Sequence, residues 1–187
     1  FKKLKKNYAK GSELKNKTIG IIWFGRIGQE VAKIAYGCRM NIIFCDHFLK
    51  EAEIKITFCD GQSICFTPNS VSLDELLGKS DYITLHVPSQ KDYLLDEKEF
   101  SKMKDGVGII NAARGGVLNE ESLIKFIDSG KIKFAGLDTF ENEPNPSIKT
   151  LMNSKLSLTP HIGAATSEAQ ERIGLELADQ IISIVHN

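Results

Sequence analysis

One stretch, residues 18–34, constrains the fold of this chain more than any other. Residues 18–22 read TIGII, an uncharged and mostly branched run that is typical of a central parallel strand covered on both faces. Apolar residues then recur at helical spacing over residues 27–34, so the pattern changes from strand to helix across Gly25 and Gly28. Such a turn directs free backbone N–H groups and the positive end of a helix dipole toward one point. The stretch therefore predicts a binding site for the pyrophosphate of a dinucleotide.

The dinucleotide fingerprint G-x-G-x-x-G, laid over residues 23–28, matches at its second and third glycines. Gly25 lets the backbone approach the phosphates, and Gly28 lets the helix pack closely on the strand. Trp23 stands where the first glycine belongs, and a bulky side chain there strains the tight turn or intrudes toward the pyrophosphate. The cofactor affinity is therefore in question, and a partial fingerprint also fits an ordinary strand–turn–helix.

Length and composition favour one soluble α/β domain, since the chain has 187 residues, of which 42% are hydrophobic and 26% charged. The formal net charge is zero, which gives no electrostatic basis for a nucleic-acid or membrane partner. We find no signal peptide and no apolar run near the roughly 20 residues that span a bilayer. A cytoplasmic protein is the expectation.

Neither a metal site nor a disulfide framework is predicted, because the four cysteines lack the C-x-x-C spacing. We expect all four to be reduced core residues, namely Cys38, Cys45, Cys59 and Cys65. The run Cys45-Asp46-His47 has no second ligand pair, so we interpret it as packing rather than as a metal site.

Asp46 ends a second apolar run at residues 41–46 and follows Gly28 by 18 residues (46 − 28). About 20 residues separate the glycine turn from the acid that binds the ribose hydroxyls of NAD, and an acid there disfavours the extra phosphate of NADP. The alternative is a helix-capping or turn aspartate. Beyond it, residues 54–66 alternate around Asp60-Gly61, which predicts a small antiparallel hairpin.

Further strands are predicted at residues 81–86, 107–111, 131–138 and 156–159, with helices between them and a last amphipathic helix at 167–185. This alternation predicts a doubly wound parallel sheet of the Rossmann type, with a ligand crevice at the carboxyl ends of the strands.

Two polar residues follow those strands. Arg114 lies in a small-residue loop at a strand end, where it is placed to bind a carboxylate, although a solvated loop cation is equally compatible. His86 is interpreted as a strand-end histidine rather than a catalyst, because the loop that follows it offers no obvious partner acid.

Together the glycine turn, Asp46, NAARGG at residues 111–116, LDTFENEP at 137–144 and TPHIG at 159–163 resemble the D-2-hydroxyacid dehydrogenases. The resemblance runs from about Gly11 onward and corresponds to the cofactor domain of that two-domain family. Several motifs in the right order are more specific than any one of them.

The resemblance implies a catalytic set of Arg114, Glu143 and His161. Arg114 would grip the substrate carboxylate through its planar fork. His161 would exchange a proton with the substrate oxygen, and Glu143 would orient the imidazole and favour its charged form. NAD is the implied cofactor and supplies the hydride.

The same resemblance implies cofactor contacts along the crevice. They are Arg26 and Ile27 at the pyrophosphate beside Gly25 and Gly28, Asp46 at the adenosine ribose, Val87 and Ala112 along the nicotinamide half, Asp138 at the carboxamide, and Gly163 beside His161.

Members of this family carry a separate substrate domain, so we expect residues 1–17 to be a connector from that domain and residues 18–187 to be the dinucleotide-binding domain. The chain lacks an initial Met, which fits an excised piece that binds NAD but turns over weakly or not at all. The small-molecule substrate implied first is 3-phospho-D-glycerate, feeding serine synthesis, and a homodimer is expected. Glu143 opposes the formate dehydrogenase branch, which has glutamine there.

Two other functions stay open on the sequence alone. One is an NAD-sensing, corepressor-like binding protein of the same family, since such proteins keep similar residues. The other is a degenerate domain in which Trp23 has abolished dinucleotide binding.

Overall fold

A computed structural model describes residues 1–7 and 11–185 of the chain. Its nine strands are β1 (Thr18–Ile22), β2 (Asn41–Cys45), β3 (Ile54–Thr57), β4 (Ser63–Phe66), β5 (Asn69–Ser70), β6 (Tyr82–Leu85), β7 (Val107–Asn111), β8 (Ile132–Leu137) and β9 (Leu156–Leu158). Its seven helices are α1 (Lys2–Asn7), α2 (Arg26–Gly37), α3 (Leu73–Lys79), α4 (Glu97–Lys102), α5 (Glu120–Asp128), α6 (Ile148–Leu151) and α7 (Ser167–Val185).

Seven of the strands form one parallel sheet in the order β5-β2-β1-β6-β7-β8-β9, and β3 and β4 pair separately as an antiparallel hairpin. The predicted Rossmann-type fold with a small hairpin is therefore confirmed. The strand order reverses between β1 and β6, and ligands of such sheets bind at the carboxyl ends beside this reversal.

Side chains of the central strands alternate between two hydrophobic clusters. In β2, Ile42 and Phe44 belong to the cluster under α2, whereas Ile43 belongs to the cluster under α3, α4 and α5. This period of two places the clusters on opposite faces of the sheet. Both faces are covered, which explains why the strands read as continuous apolar runs.

Helix α2 is where the sequence predicted it, but the spaced isoleucines do not reach the sheet. Ile27 and Ile34 are 69% and 70% exposed, while the buried residues of the helix are Gly28, Ala32 and Ala35. These small residues let the helix axis approach β1 closely. Ile27 and Ile34 are left on the solvent side, whereas the half-buried Val31 packs against the core.

The expectation of core cysteines is wrong for three of the four. All are free thiols, but Cys38, Cys59 and Cys65 are exposed and Cys45 is half-buried. Cys59 and Cys65 belong to the hairpin, which is not part of the main sheet, and Cys38 follows the end of α2. Within residues 1–7 and 11–185, no group of three or more His, Cys, Asp or Glu side chains is placed to hold a metal ion.

Helix α7 has the predicted bounds, yet none of its residues is buried. Its apolar side chains are exposed, including Ile173, Leu175 and Ile182. Glu176 of this helix pairs with Arg26 of α2, with Nη1 and Oε1 3.1 Å apart. Among the described helices, none is long and apolar enough to cross a membrane.

Replacing Gly20 in β1 with alanine tests how closely α3 packs on the sheet. A Cβ atom at this position would lie 2.2 Å from Oγ of Ser80 and 2.6 Å from Cδ2 of Leu76, both of which are fully buried. We expect Gly20→Ala to lower the free energy of unfolding by about 1–3 kcal/mol, because the core has to shift. Urea denaturation measures this change.

The control is Gly174→Ala in α7, where an added Cβ meets nothing within 4 Å. This change should leave the free energy of unfolding unchanged or slightly raised, since alanine favours helix more than glycine does. Equal unfolding free energies for Gly20→Ala and the wild type would contradict the packing described for α3.

Candidate active site

The glycine turn lies at the carboxyl end of β1, where Gly25 is the N-cap of α2 without a side-chain hydrogen bond. A Cβ on Gly25 would find Cδ1 of Trp23, 3.7 Å away, as its nearest neighbour, so the space beside this residue is open. A Cβ on Gly28 would lie 2.6 Å from the carbonyl oxygen of Trp23. Gly25 thus leaves room for a ligand, and Gly28 is required by the helix–strand contact.

Trp23 has the backbone conformation that favours glycine, with φ of 74°. A bulky residue in this region is strained, and such strain persists only where neighbouring contacts fix the backbone. Two hydrogen bonds do so here. The N–H of Trp23 donates to the carbonyl of Cys45, and the N–H of Phe24 donates to Oδ2 of Asp46, each at 2.8 Å. The strain expected for Trp23 is confirmed.

Asp46 is buried at the end of β2, and its carboxylate organises the surrounding turns. Oδ2 accepts from Phe24, while Oδ1 accepts from the backbone N–H groups of Phe48 and Leu49 at 2.8 and 3.0 Å. Burial acts to raise the pKa of Asp46, but the bonds from Leu49, Phe24 and Phe48 outweigh it, so the net pKa is lowered. A carboxylate has about four acceptor positions, which leaves one on Oδ2 for a ribose hydroxyl.

Seven of the residues predicted for the site line one cavity of about 360 Å³. They are Gly25, Arg26, Ile27, Gly28, Val87, Ala112 and Arg114, and the same cavity includes Trp23, His86, Pro88 and Ala113. The glycine turn and the loop after β7 therefore face one space. Asp46 is not among the residues that line it.

His86 and Trp23 are cavity residues that the sequence did not assign to the site. Burial lowers the pKa of His86 to about 4, so its imidazole is neutral near pH 7. Nε2 of His86 lies 3.1 Å from Oγ1 of Thr84. The position of His86 after β6 was the available clue, because β6 is the strand across the order reversal from β1.

The loop that carries Arg114 is shaped by Asn111, the last residue of β7. Oδ1 of Asn111 accepts from the N–H of Ala113 at 3.1 Å, and its Nδ2 donates to the carbonyl of Arg114 at 2.9 Å. The guanidinium is exposed, and its Nη1 donates to the carbonyl of Ala113 at 2.7 Å. A guanidinium has five donors, so most of its capacity to bind a carboxylate is available.

The Arg114 loop contacts the next loop at Gly115. A Cβ on Gly115 would lie 1.7 Å from the carbonyl oxygen of Phe140, so only glycine fits against that backbone. The N–H of Phe140 in turn donates to Oε1 of Glu143 at 2.8 Å. Direct backbone contact therefore joins the segment with Arg114 to the segment that anchors Glu143.

Glu143 and His161 are hydrogen-bonded, with Oε2 and Nδ1 2.7 Å apart. The bond with His161 and then the N–H of Phe140 lower the pKa of Glu143. Because the ionised carboxylate only accepts, Nδ1 carries the proton and Nε2 is left for another partner. The side chains are 35% and 48% exposed, so both reach solvent.

Asp138, which follows β8, holds the segment around His161. Its carboxylate accepts from the hydroxyl of Thr159 and from the N–H groups of Ile162 and Gly163 at 2.9 and 2.8 Å. Burial acts to raise the pKa of Asp138, and these three bonds outweigh it, so the net pKa is lowered. They flank His161, whose φ of 54° is also in the left-handed region. Asp138 therefore fixes a strained backbone that presents the imidazole.

Glu143 and His161 line a second cavity of about 490 Å³, whose other walls are mostly apolar. Its remaining lining residues are Phe140, Pro144, Pro146, Leu151, Leu158, Thr159 and Pro160. The structure thus brings Glu143 and His161 together and places Arg114 with the dinucleotide cavity. The two groups follow neighbouring strands of the sheet, β7 to β9.

A reciprocal pair of glutamates, which no sequence motif predicted, supports the Glu143 segment. Oε1 of Glu120 accepts from the N–H of Glu141 at 2.7 Å, and Oε1 of Glu141 accepts from the N–H of Glu120 at 2.6 Å. Burial raises the pKa of Glu120. The partners are 21 residues apart, so no local sequence pattern predicts the contact.

The fold and this site define a dinucleotide-binding domain with a carboxylate–imidazole pair beside its cleft. The family model for the D-isomer specific 2-hydroxyacid dehydrogenase, NAD binding domain, matches residues 2–163. The chain therefore belongs to the NAD-dependent D-2-hydroxyacid dehydrogenases, and it is an NAD-binding domain of that family.

Similar proteins carry several names within the family. A hydroxypyruvate reductase of Thermotoga maritima is 43% identical over 96% of this chain and 56% of its own length. A D-3-phosphoglycerate dehydrogenase of Archaeoglobus fulgidus is 41% identical over 93% of this chain and 32% of its own length. The crystal structure of a glyoxylate reductase from Paecilomyes thermophila matches with a TM-score of 0.79 and 36% identity, covering 92% of this chain and 50% of that one. The chain thus spans about half or less of these relatives.

Because Glu143 is hydrogen-bonded to His161, we expect the loss of His161 to change the pKa of Glu143. Replacing His161 with alanine removes the largest cause of the lowered pKa of Glu143, so we expect that pKa to rise toward its ordinary value. Carboxyl ¹³C NMR titration of the two proteins measures the difference.

Measuring the free energy of unfolding against pH checks the direction of the Glu143 pKa shift. A depressed carboxyl pKa stabilises the fold above the unfolded pKa, and this contribution is lost as the pH falls through the folded value. The wild type should therefore lose its advantage in unfolding free energy over His161→Ala as the solution becomes acidic. Identical Glu143 titration curves in the two proteins would contradict the hydrogen bond.

Proposed function

We propose that this protein transfers a hydride between NAD and a D-2-hydroxy acid, with Arg114, Glu143 and His161 as its catalytic residues. The observation that carries this proposal is the 2.7 Å hydrogen bond between Glu143 and His161 beside a dinucleotide cleft. An imidazole backed by a carboxylate is suited to exchange a proton near neutral pH.

The residues of the cleft fit a dinucleotide. The N-terminus of α2 and the open space at Gly25 suit the pyrophosphate, with Arg26, Ile27 and Gly28 beside it. The exposed guanidinium of Arg26 can exchange its partner Glu176 for a phosphate, since surface ion pairs hold weakly.

The other cofactor contacts follow along the sheet edge. Asp46 would bind the adenosine ribose through its remaining acceptor position. Val87 and Ala112 line the cavity, where they would contact the nicotinamide half. Asp138 would hold the carboxamide, with Gly163 beside it, since the N–H of Gly163 donates to the same carboxylate.

In the direction of reduction, His161 protonated at both ring nitrogens would donate its Nε2 proton to the carbonyl oxygen of a 2-oxo acid. When bound, NADH would supply the hydride for this reduction, and NAD⁺ would accept it in the reverse reaction. Glu143 keeps the imidazole oriented through its hydrogen bond with Nδ1. Arg114 binds the substrate carboxylate through two parallel N–H bonds, which fixes the carbonyl in position.

The substrate we propose has the three-carbon skeleton of hydroxypyruvate and D-glycerate. Hydroxypyruvate and its 3-phosphate present the same carboxylate and carbonyl to Arg114 and His161 and differ only at the third carbon. The sequence motifs favour 3-phospho-D-glycerate, which is the substrate of D-3-phosphoglycerate dehydrogenases and a precursor of serine. The similarity to a hydroxypyruvate reductase supports the same three-carbon skeleton.

The domain organisation is part of the proposal. Residues 1–17 connect to a substrate domain and residues 18–187 form the cofactor domain, so the chain alone binds NAD with little or no turnover. We propose a cytoplasmic homodimer formed through this domain. The exposed apolar face of α7 is a surface that such a contact would cover.

His161→Ala in the complete gene product tests the catalytic assignment. With NADH and either hydroxypyruvate or its 3-phosphate, we expect kcat to fall by roughly 10²- to 10⁴-fold, because the general acid is lost. The oxidation of NADH, followed by absorbance, measures the rate. Comparing the two substrates identifies the better one.

Binding of NADH to His161→Ala is the control and should match the wild type, since His161 is not among the residues of the dinucleotide cavity. An unchanged rate in this variant would contradict the enzyme proposal. Binding of NADH without turnover by the wild type would favour an NAD-sensing binding protein.

A further inference from the structure

Glu120 is a buried carboxyl group that the proposed reaction does not use. It is the first residue of α5 and is 7% exposed. Helix capping does not explain it, because Asn119 is the N-cap of α5. Its Oε1 accepts from the N–H of Glu141 at 2.7 Å, and its Oε2 accepts from the hydroxyl of Thr150 at 3.0 Å. Burial is the largest cause of its raised pKa, and the charges of Glu141 and Glu143 add to it.

Glu141 returns the contact. Its Oε1 accepts from the N–H of Glu120 at 2.6 Å, and its Oε2 accepts from the phenolic hydroxyl of Tyr93 at 3.2 Å. Two opposed backbone bonds therefore hold residue 141 against the first turn of α5. We call Glu120 and Glu141 the glutamate pair.

The glutamate pair fixes one peptide unit, the planar group that joins Phe140 to Glu141. This unit contains the N–H that donates to Glu120 and the carbonyl oxygen that lies against Gly115. The other face of residue 140 is its own N–H, which donates to Oε1 of Glu143 at 2.8 Å. A rotation of this peptide unit would therefore disturb both the loop after β7 and the anchor of Glu143.

We propose that Glu120 is a positioning residue for the pair of Glu143 and His161, and this inference rests on the function proposed above. Glu120 acts through the peptide unit between Phe140 and Glu141. With that unit fixed, the N–H of Phe140 remains directed at Oε1 of Glu143, and Oε2 is left for Nδ1 of His161. A buried carboxyl group costs free energy that an apolar side chain would not, and this role accounts for its presence.

The amide proton of Phe140 reports on the proposal, because it is bonded to Glu143 and its NMR shift follows the ionisation of that carboxyl group. The bonds with His161 and then Phe140 lower the pKa of Glu143. We expect Glu120→Leu, which fills the space without an acceptor, to reduce the pH-dependent shift of the Phe140 amide and to raise the pKa of Glu143. Glu120→Ala should give the same result.

Glu120→Gln is the rescue variant. Its amide oxygen can accept from the N–H of Glu141, and its amide nitrogen can donate to the hydroxyl of Thr150. We therefore expect the wild-type titration of the Phe140 amide in this variant. A wild-type titration in Glu120→Leu and Glu120→Ala as well would overturn the inference.

Two controls separate positioning from stability. Glu121→Ala changes the next residue of α5, whose side chain is 77% exposed, and it should leave the pKa of Glu143 unchanged. Gly20→Ala lowers the stability from the opposite end of the core and should leave that pKa unchanged too. If Gly20→Ala raised it as much as Glu120→Leu does, the shift would follow from lost stability and the inference would fail.

Turnover by the complete gene product gives the second test. We expect Glu120→Leu to lower kcat by about 10- to 100-fold, as for a small misplacement of a reacting group, with a smaller change in KM. In the His161→Ala background the same change should cost nothing further, because Glu120 acts through the imidazole. An equal loss in both backgrounds would contradict the inference.

The two proposals fail in different ways. The NMR titrations need no substrate, so they decide the role of Glu120 in holding Glu143 even where the wild type shows no turnover. The absence of turnover with hydroxypyruvate and with its 3-phosphate would count against the proposed function alone.

Discussion

Two buried aspartates at strand ends hold the candidate site together. Asp46 follows β2 and accepts three backbone N–H groups, and Asp138 follows β8 and accepts two N–H groups and a hydroxyl. Each carboxylate lies where a parallel strand ends and the chain has no sheet partner left. A buried carboxylate is tolerated only when hydrogen-bond donors surround it. Breaking these hydrogen bonds would cost free energy, and the loops that supply the donors are therefore held in place.

These carboxylates also explain the two strained residues of the site. Trp23 and His161 both have positive φ, and each is bracketed by bonds to one of the aspartates or to the neighbouring strand. Local rules are broken most often where function demands an unusual geometry. One of the two presents the imidazole that is hydrogen-bonded to Glu143, and the other places an indole at the wall of the cavity beside the glycine turn.

Much of the fold could be predicted from the sequence because its causes are local. The branched runs predicted the strands, the period change predicted α2, and Ser72 and Asn119 cap the helices that they precede. Burial was less predictable, since the exposure of Cys59 depends on where the hairpin projects. Helix α7 has an apolar face by its sequence, but the sequence does not say what that face meets.

The candidate site was predictable only in part. Asp46 and the glycine turn follow from spacing, whereas no spacing rule connects Arg114, Glu143 and His161, which the family resemblance alone supplied. The contact of Gly115 with Phe140 and the exchange between Glu120 and Glu141 join segments more than 20 residues apart. Such contacts are set by how parallel strands bring distant loops to one edge, which requires the folded structure.

Backbone amide NMR during titration with NAD⁺ tests the central claim most directly. The account predicts that the largest chemical-shift changes fall on Gly25, Gly28, Ala112 and Gly163, at the carboxyl edge of the sheet. Gly61 at the hairpin turn and Gly174 in α7 should not shift. Changes confined to the hairpin or α7, with the glycine turn unaffected, would contradict the account.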